Sequence, residues 1–311
     1  MALIAAFIIA LVLSPLAARL AERFGVVDRP GPLKVQQRPV PYGGGIAIFA
    51  AIAIPLAAVH PALLIPLALA CGLGLLDDTR DLPVPLRIGA ELAIGLVTAW
   101  VAAPHSAPYA IASVLVVLVL LNAANLLDGL DGLLSAVATA GLVGFYVVLT
   151  GGSATLAACL AGALGAFFLW NRPPARMYLG DAGSYLVGTS LAILFVSAVR
   201  VGTPQLCAGS LFVAVAVGDT VIAIVRRLRA HKPILQGDRG HVYDQLVDRG
   251  WSIPIVLFVC GVAQAALSAE GVGVANLDTE AAIAITLATV LIVGVGALTL
   301  FTSPRTWVTD A

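Results

Sequence analysis

The chain has 311 residues, 60% of them apolar and only 11% charged, and its 17 basic and 17 acidic residues leave no net charge. A water-soluble core cannot bury that much apolar surface, and a mean hydropathy of +1.02 makes lipid the solvent for most of the chain. A soluble globular enzyme is thereby excluded, and nothing in the composition points to a nucleic-acid partner.

A membrane span needs roughly 17–25 residues. On that ruler the apolar runs predict an all-α, polytopic transmembrane bundle of about eleven spans. They lie near 2–21, 43–60, 62–76, 88–103, 110–127, 133–150, 154–170, 184–199, 205–225, 253–269 and 281–301. The first has no basic residue before Arg19, so it reads as a retained span and not a cleaved leader. The run at 62–76 is the shortest, and its length also fits a re-entrant segment. Cys71, Cys159, Cys207 and Cys260 all lie inside apolar runs without a C-x-x-C spacing, which reads as packed thiols. No internal repeat or separate soluble domain is evident, so residues 1–311 are taken as one membrane domain.

Basic residues set the orientation. With the N-terminus outside and the C-terminus cytoplasmic, every lysine and arginine except Arg200 falls on an interior loop or at its edge. The acids Asp28, Asp77, Asp78, Asp81, Asp128, Asp131, Asp181, Asp238, Asp244 and Asp248 gather at the same ends. Chemistry is therefore expected on cytoplasmic loops near 22–42, 77–87, 122–132, 171–184 and 226–250 of a multi-pass plasma-membrane protein.

In chain order, the first such loop joins Asp28 and Lys34 to a proline-rich stretch ending at Tyr42-Gly43-Gly44-Gly45. Lys34 is placed to meet a phosphate as a point charge. Next comes Asp77-Asp78-Thr79-Arg80-Asp81, three carboxylates in five residues where an apolar run leaves the membrane. Their repulsion and desolvation are relieved by a cation or a substrate proton, or by Arg80 and Arg87 as counter-ions at a helix end.

The stretch Asn122 to Gly132 places Asn or Asp at every third residue: Asn122, Asn125, Asp128 and Asp131. A step of three turns a helix by about −60°, so Asn122 and Asn125 share a face while Asp131 would sit opposite Asn122. Convergence requires the chain to leave helical geometry, which Gly129 and Gly132 permit. These are hard oxygen donors and do not form a soft-metal site. Then Asn171 leads through Tyr178 to Gly180-Asp181-Ala182-Gly183-Ser184, where a new span begins. Free N–H groups at that helix start can face an anion, while Asp181 offers oxygens to Mg²⁺. Finally Asp238-Arg239-Gly240-His241-Val242-Tyr243-Asp244 follows the basic run Arg226, Arg227 and Arg229.

Together these segments resemble the polyprenyl-phosphate N-acetylhexosamine-1-phosphate transferases. The resemblance rests on the Asp77-Asp78 pair, the N-x-x-N-x-x-D-G-x-D-G-L stretch from Asn122 to Leu133, and G-D-x-G-S at Gly180–Ser184, in that order along nearly the whole chain. It implies Mg²⁺, with Mn²⁺ as an acceptable substitute, held principally by Asp181 with Asn125 as second ligand. It further implies that Asp77 and Asp78 serve the lipid phosphate, that Asp128, Gly129, Leu130 and Asp131, with Asn171 and Tyr178, serve the uridine side, and that Asn122 and Arg239 bind substrate. Lys34, Arg87 and His241 are implied phosphate contacts, with Asp77, Asp78, Asp128 and His241 as the catalytic set.

The reaction implied is transfer of a sugar-1-phosphate from a UDP-sugar to polyprenyl phosphate, with UMP released. Where relatives often carry H-x-H-H, this chain reads His241-Val242-Tyr243-Asp244; Leu33 and Gln36 also depart from the family habit. These departures lean away from UDP-MurNAc-pentapeptide and leave UDP-N-acetylglucosamine as the default donor. A secondary transporter and a non-catalytic lipid-binding relative are the competing readings. Gly162-x-x-Gly165 offers a small-residue spacing for close helix contact, compatible with a homodimer.

Overall fold

A computed structural model describes residues 1–30, 38–102, 106–234 and 238–302. Lys34, Leu33, Gln36 and Arg305 lie outside the described residues. The helices in chain order are α1 (Ala2–Phe24), α2 (Gly44–Ala57), α3 (Leu64–Arg80), α4 (Val84–Ala102), α5 (Ala107–Leu127), α6 (Leu133–Val148), α7 (Gly151–Asn171) and α8 (Gly180–Val201). They continue as α9 (Thr203–Phe212), α10 (Ala214–Arg229), the short α11 (Val242–Asp248), α12 (Ile253–Val274) and α13 (Thr279–Phe301). Between α1 and α2, β1 (Val27–Asp28) pairs antiparallel with β2 (Val40–Pro41), with Val27 opposite Pro41.

Among the described residues eight helices are long and apolar enough to cross a membrane, and nine if α9 and α10 count as one bent span. The chain is an all-α, multi-pass membrane protein. A helix stands at each of the eleven predicted apolar runs, but α2 and α6 are shorter than a full span. The run at 62–76, which also fitted a re-entrant segment, is one helical passage that continues to Arg80.

The bundle is organised around α8. Of its span 83% is buried within the protein, against 11% for α13 at the periphery. Small residues make this possible, because side chains of one atom or none let neighbouring backbones close in. A Cβ on Gly188 would stand 2.5 Å from Leu121 Cα of α5, and one on Gly74 of α3 would stand 2.2 Å from the Asp181 backbone. The Gly162 spacing is likewise used within the chain, since a Cβ there would meet the Leu3 carbonyl of α1 at 2.2 Å.

The run at 205–225 is not one straight span, because α9 and α10 meet at a 68° bend. A bent helix in lipid must find other partners for its freed backbone groups. Here Gln264 of α12, fully buried, accepts from Val215 N–H at 3.1 Å and donates to the Leu211 carbonyl at 2.9 Å. One side chain thus bridges the break and directs α10 toward the end of the bundle where the polar loops gather.

Candidate active site

The site grows from the meeting of the α3 C-terminus with the α8 N-terminus. Gly180 enters α8 with φ +72°, a conformation that favours glycine, and a Cβ there would press within 2.7 Å of the Asp78 carboxylate. Asp78 Oδ1 accepts from Asp181 N–H at 2.8 Å and Oδ2 from Ala182 N–H at 3.1 Å. The orphan amides of a helix start favour an anion, and here the anion is the chain's own carboxylate. The amides do face an anion, as the sequence led one to expect, and that anion is Asp78.

Asp77 is buried beside it. Its Oδ1 accepts from Leu82 N–H at 2.8 Å, its Oδ2 accepts from Tyr185 O–H at 2.7 Å, and Arg87 stands 3.6 Å away. Asn125 reaches across from α5 to donate to Asp181 Oδ1 at 2.6 Å and to Ser184 Oγ at 3.2 Å. Among the described residues no donor reaches its own Oδ1, which can serve as acceptor or ligand.

Leaving the helix after Leu127 brings the next acids into play. The chain turns through 128–132, with Gly132 at φ +76° opening α6. Asp131 Oδ2 accepts from Ala175 N–H at 2.8 Å, which ties this turn to the loop before α8. Asn171 braces the same junction, accepting from Gly132 N–H at 3.1 Å and donating to the Met177 carbonyl at 3.0 Å. Asp128 has no hydrogen-bond donor among the described residues. Its carboxyl is held well above the ordinary value by burial, then by the nearby charges of Asp181, Asp78 and Asp131.

Two further walls close the space. Tyr42 and Tyr178 face each other at 6.2 Å between ring centres, and Tyr178 N–H donates to the Pro41 carbonyl at 3.0 Å. On the other side Asp219 of α10 accepts from His241 Nδ1–H at 2.7 Å and from Val242 N–H at 2.7 Å. The His241 ring stacks on Tyr243 at 5.3 Å, and Tyr243 O–H donates to the Leu126 carbonyl at 2.8 Å. Gly129 needs to be glycine for room, since a Cβ there would stand 2.1 Å from the Tyr243 hydroxyl. Asp238 anchors the loop below, clasped by Arg226 at 2.6 and 2.8 Å and by Arg227 at 2.8 Å. Burial pushes its carboxyl up, but the two guanidiniums outweigh that and hold it well below the usual range.

The result is a cavity of about 1290 Å³ at one end of the bundle. Of the residues singled out in the sequence, Asp77, Asp78, Asn125, Asp128, Gly129, Leu130, Asp131, Asn171, Tyr178, Asp181 and Arg239 line it. Asn122, Arg87 and His241 do not appear in its lining. Asn122 bonds to Glu91, Arg87 sits behind Asp77, and His241 is 4% exposed behind Tyr243. Sequence reasoning passed over Glu91, Asp219 and Tyr185. For Glu91 and Asp219 the available signal was a lone acid inside an apolar run, which in a membrane protein marks a site by default; Tyr185 carried no such signal.

Among the described residues no group of three or more His, Cys, Asp or Glu has the spacing to hold a metal by itself. Mg²⁺ does not require one, because it typically takes one or two carboxylates and completes its shell with water and substrate phosphates. Asp181 with the free Oδ1 of Asn125 fits that pattern, as does Asp128 without a donor.

The glycosyl transferase family 4 profile matches residues 60–199, the stretch that carries both aspartate motifs and Asp181. Over 240 residues the chain is 31% identical to the undecaprenyl-phosphate alpha-N-acetylglucosaminyl 1-phosphate transferase of Thermotoga maritima, covering 76% of this chain and 78% of that one. The chain belongs to glycosyl transferase family 4. As a member of that family it is a sugar-1-phosphate transferase. It is also 26% identical over 290 residues to the Escherichia coli K12 transferase of the same name, covering 82% of this chain and 78% of that one. Likeness to the phospho-N-acetylmuramoyl-pentapeptide-transferase of Corynebacterium kroppenstedtii, 30% identical, extends over only 35% of this chain and 31% of that one.

Proposed function

We propose that this enzyme transfers N-acetylhexosamine-1-phosphate, by default N-acetylglucosamine-1-phosphate, from a UDP-sugar to polyprenyl phosphate, in a Mg²⁺-dependent reaction that releases UMP. The observation that carries the reading is the convergence of Asp77, Asp78, Asn125, Asp128 and Asp181 on one cavity, in a chain of this family. An oxygen of the lipid phosphate attacks the β-phosphorus of the donor; that P–O bond forms as the bond to UMP breaks. Mg²⁺ held by Asp181 and Asn125 would shield the phosphate charges that must approach these acids. Arg239 and Lys34 add positive charge from the loops, Asp77 receives a proton or orients the acceptor beside Arg87, and Asp128 and Asp131 face the uridine side. His241 acts from behind the Tyr243 wall.

Orientation is part of the same reading. The C-terminal ends of α3, α5 and α7 and the N-terminal ends of α8 and α12 all contribute to the one cavity. Counting α9 and α10 as one passage, that alternation supports eleven spans with the N-terminus opposite the cavity, and the basic residues on the cavity's loops support a cytoplasmic cavity. A transporter would place its acids near mid-membrane; here the acids that line the cavity stand at helix ends.

The test uses purified protein, undecaprenyl phosphate, Mg²⁺ and a panel of UDP-sugars, with UMP release as readout. UDP-N-acetylglucosamine is expected to be the best donor. If no donor releases UMP, the transferase reading is wrong.

A further inference from the structure

Glu91 lies two turns into α4 and is fully buried in an apolar run. A carboxyl inside a membrane span is costly unless it is partnered. One oxygen, Oε2, accepts from Asn122 Nδ2–H at 2.7 Å, and the same amide donates to the Leu118 carbonyl at 2.9 Å. The other, Oε1, stands 3.7 Å from Arg87 Nε, and neither of those two atoms has a hydrogen-bond partner. At its far end the Arg87 guanidinium stands 3.6 Å from Asp77 Oδ2. One cation therefore straddles two carboxylates, one on the cavity and one in the interior of the bundle.

We infer that Glu91 is a positioning residue for the transfer reaction: braced by Asn122, it shares Arg87 with Asp77, so the guanidinium steadies the Asp77 carboxylate from behind the cavity without closing onto it. This rests on the transferase reading above. An arginine side chain carries about 2 kcal/mol of rotamer entropy and forms bidentate pairs wherever carboxylates permit. Beside Asp77, an unanchored guanidinium would close onto that carboxylate as a tight pair and neutralise the acid that faces the cavity. With Glu91 opposite Nε, the distance to Asp77 remains that of a loose ion pair, and 26% of the Arg87 side chain is still exposed. Asn122 then serves this brace and does not touch the donor.

The test compares wild type, Glu91→Gln, Arg87→Gln and the double variant for UMP release, with size-exclusion profile and Tm as folding controls. Glu91→Gln should lower kcat about 10–100-fold, the range seen when an outer-shell partner is removed, while donor KM stays within about threefold. On the Arg87→Gln background the same change should cost nothing further. Removing one partner of a buried pair endangers folding, whereas neutralising both spares it. Arg87→Gln breaks the same pair, so each single variant is read only where its size-exclusion profile and Tm match wild type, and the double variant, with both charges gone, should then equal Arg87→Gln in kcat. Wild-type kcat in Glu91→Gln, an equal loss on both backgrounds, or a fall in Tm alone would overturn the inference. Absence of wild-type turnover would instead remove the transferase reading and this inference with it.

Discussion

Asp78 and Asp181 are adjacent in space and opposite in role. Asp78 uses both oxygens to cap α8, while Asp181 projects from the first turn of that helix into a cluster of like charges. Asp78→Asn turns one acceptor into a donor that faces an N–H group, so stability should fall by about 1–2 kcal/mol, with Tm and activity dropping together. Asp181→Asn should abolish turnover, yet leave Tm unchanged or raised, because it removes a repelling charge. Magnesium gives the companion measurement. Asp128, with its carboxyl raised by burial and its acidic neighbours, is costly to ionise in the folded state. That penalty is absent below the ordinary aspartate value, about 4, and is fully present once pH exceeds the raised value. The Tm gain from Mg²⁺ should therefore be larger near pH 8 than near pH 5 and vanish in Asp181→Asn. Equal gains at both pH values would contradict the placement of the cation among these acids. The acids in short repeats were legible in the sequence because spacing alone exposes them. Glu91 and Asp219 were not, since their partners stand 31 and 22 residues away along the chain.

At the level of elements, hydropathy located nearly every helix, because membrane helices are selected by a length and composition that a single sequence displays. It missed the bend between α9 and α10, because 205–225 is continuously apolar and the residue that heals the break, Gln264, lies 49 positions beyond Val215. Gln264→Leu leaves the Leu211 carbonyl and Val215 N–H unpaired in an apolar setting, at about 1–3 kcal/mol each. Thermal melts should show a clear loss. UMP release should weaken as well, because α10 carries Asp219, Arg226 and Arg227, which hold the last loop against the cavity. Normal activity in a folded Gln264→Leu protein would separate the bend from the site. The three-residue periodicity at 122–131 was half informative. It foresaw the exit from helical geometry, but not that Asn122 and Asn125 would find partners on different helices.

For the whole molecule, the gathering of polar helix ends puts the site at one end of the bundle, and the proposal that this end is cytoplasmic rests on the basic residues alone. Single cysteines at exposed Asp248 and at exposed Asn276 should separate the two sides, in a background lacking the four native cysteines. A membrane-impermeant maleimide is expected to label position 276 from outside intact cells and position 248 only after lysis. The reverse pattern would invert the orientation. Gly240 is unsuitable for such labelling, since a Cβ there would stand 2.4 Å from the Arg226 guanidinium.

The capping of α8 by Asp78 has a consequence for inhibitor chemistry. With the N-terminal amides of that helix already occupied by an internal carboxylate, no backbone nest remains there to reward a phosphate mimic. What the floor of the cavity presents is a pair of carboxyls, Asp128 and Asp181, whose ionised forms have no ion-pair partner among the described residues and gain from a cation that binds. A nucleoside analogue carrying a protonated amine at the pyrophosphate position should thus bind more tightly than one carrying an anionic isostere, and its advantage should shrink as Mg²⁺ is raised.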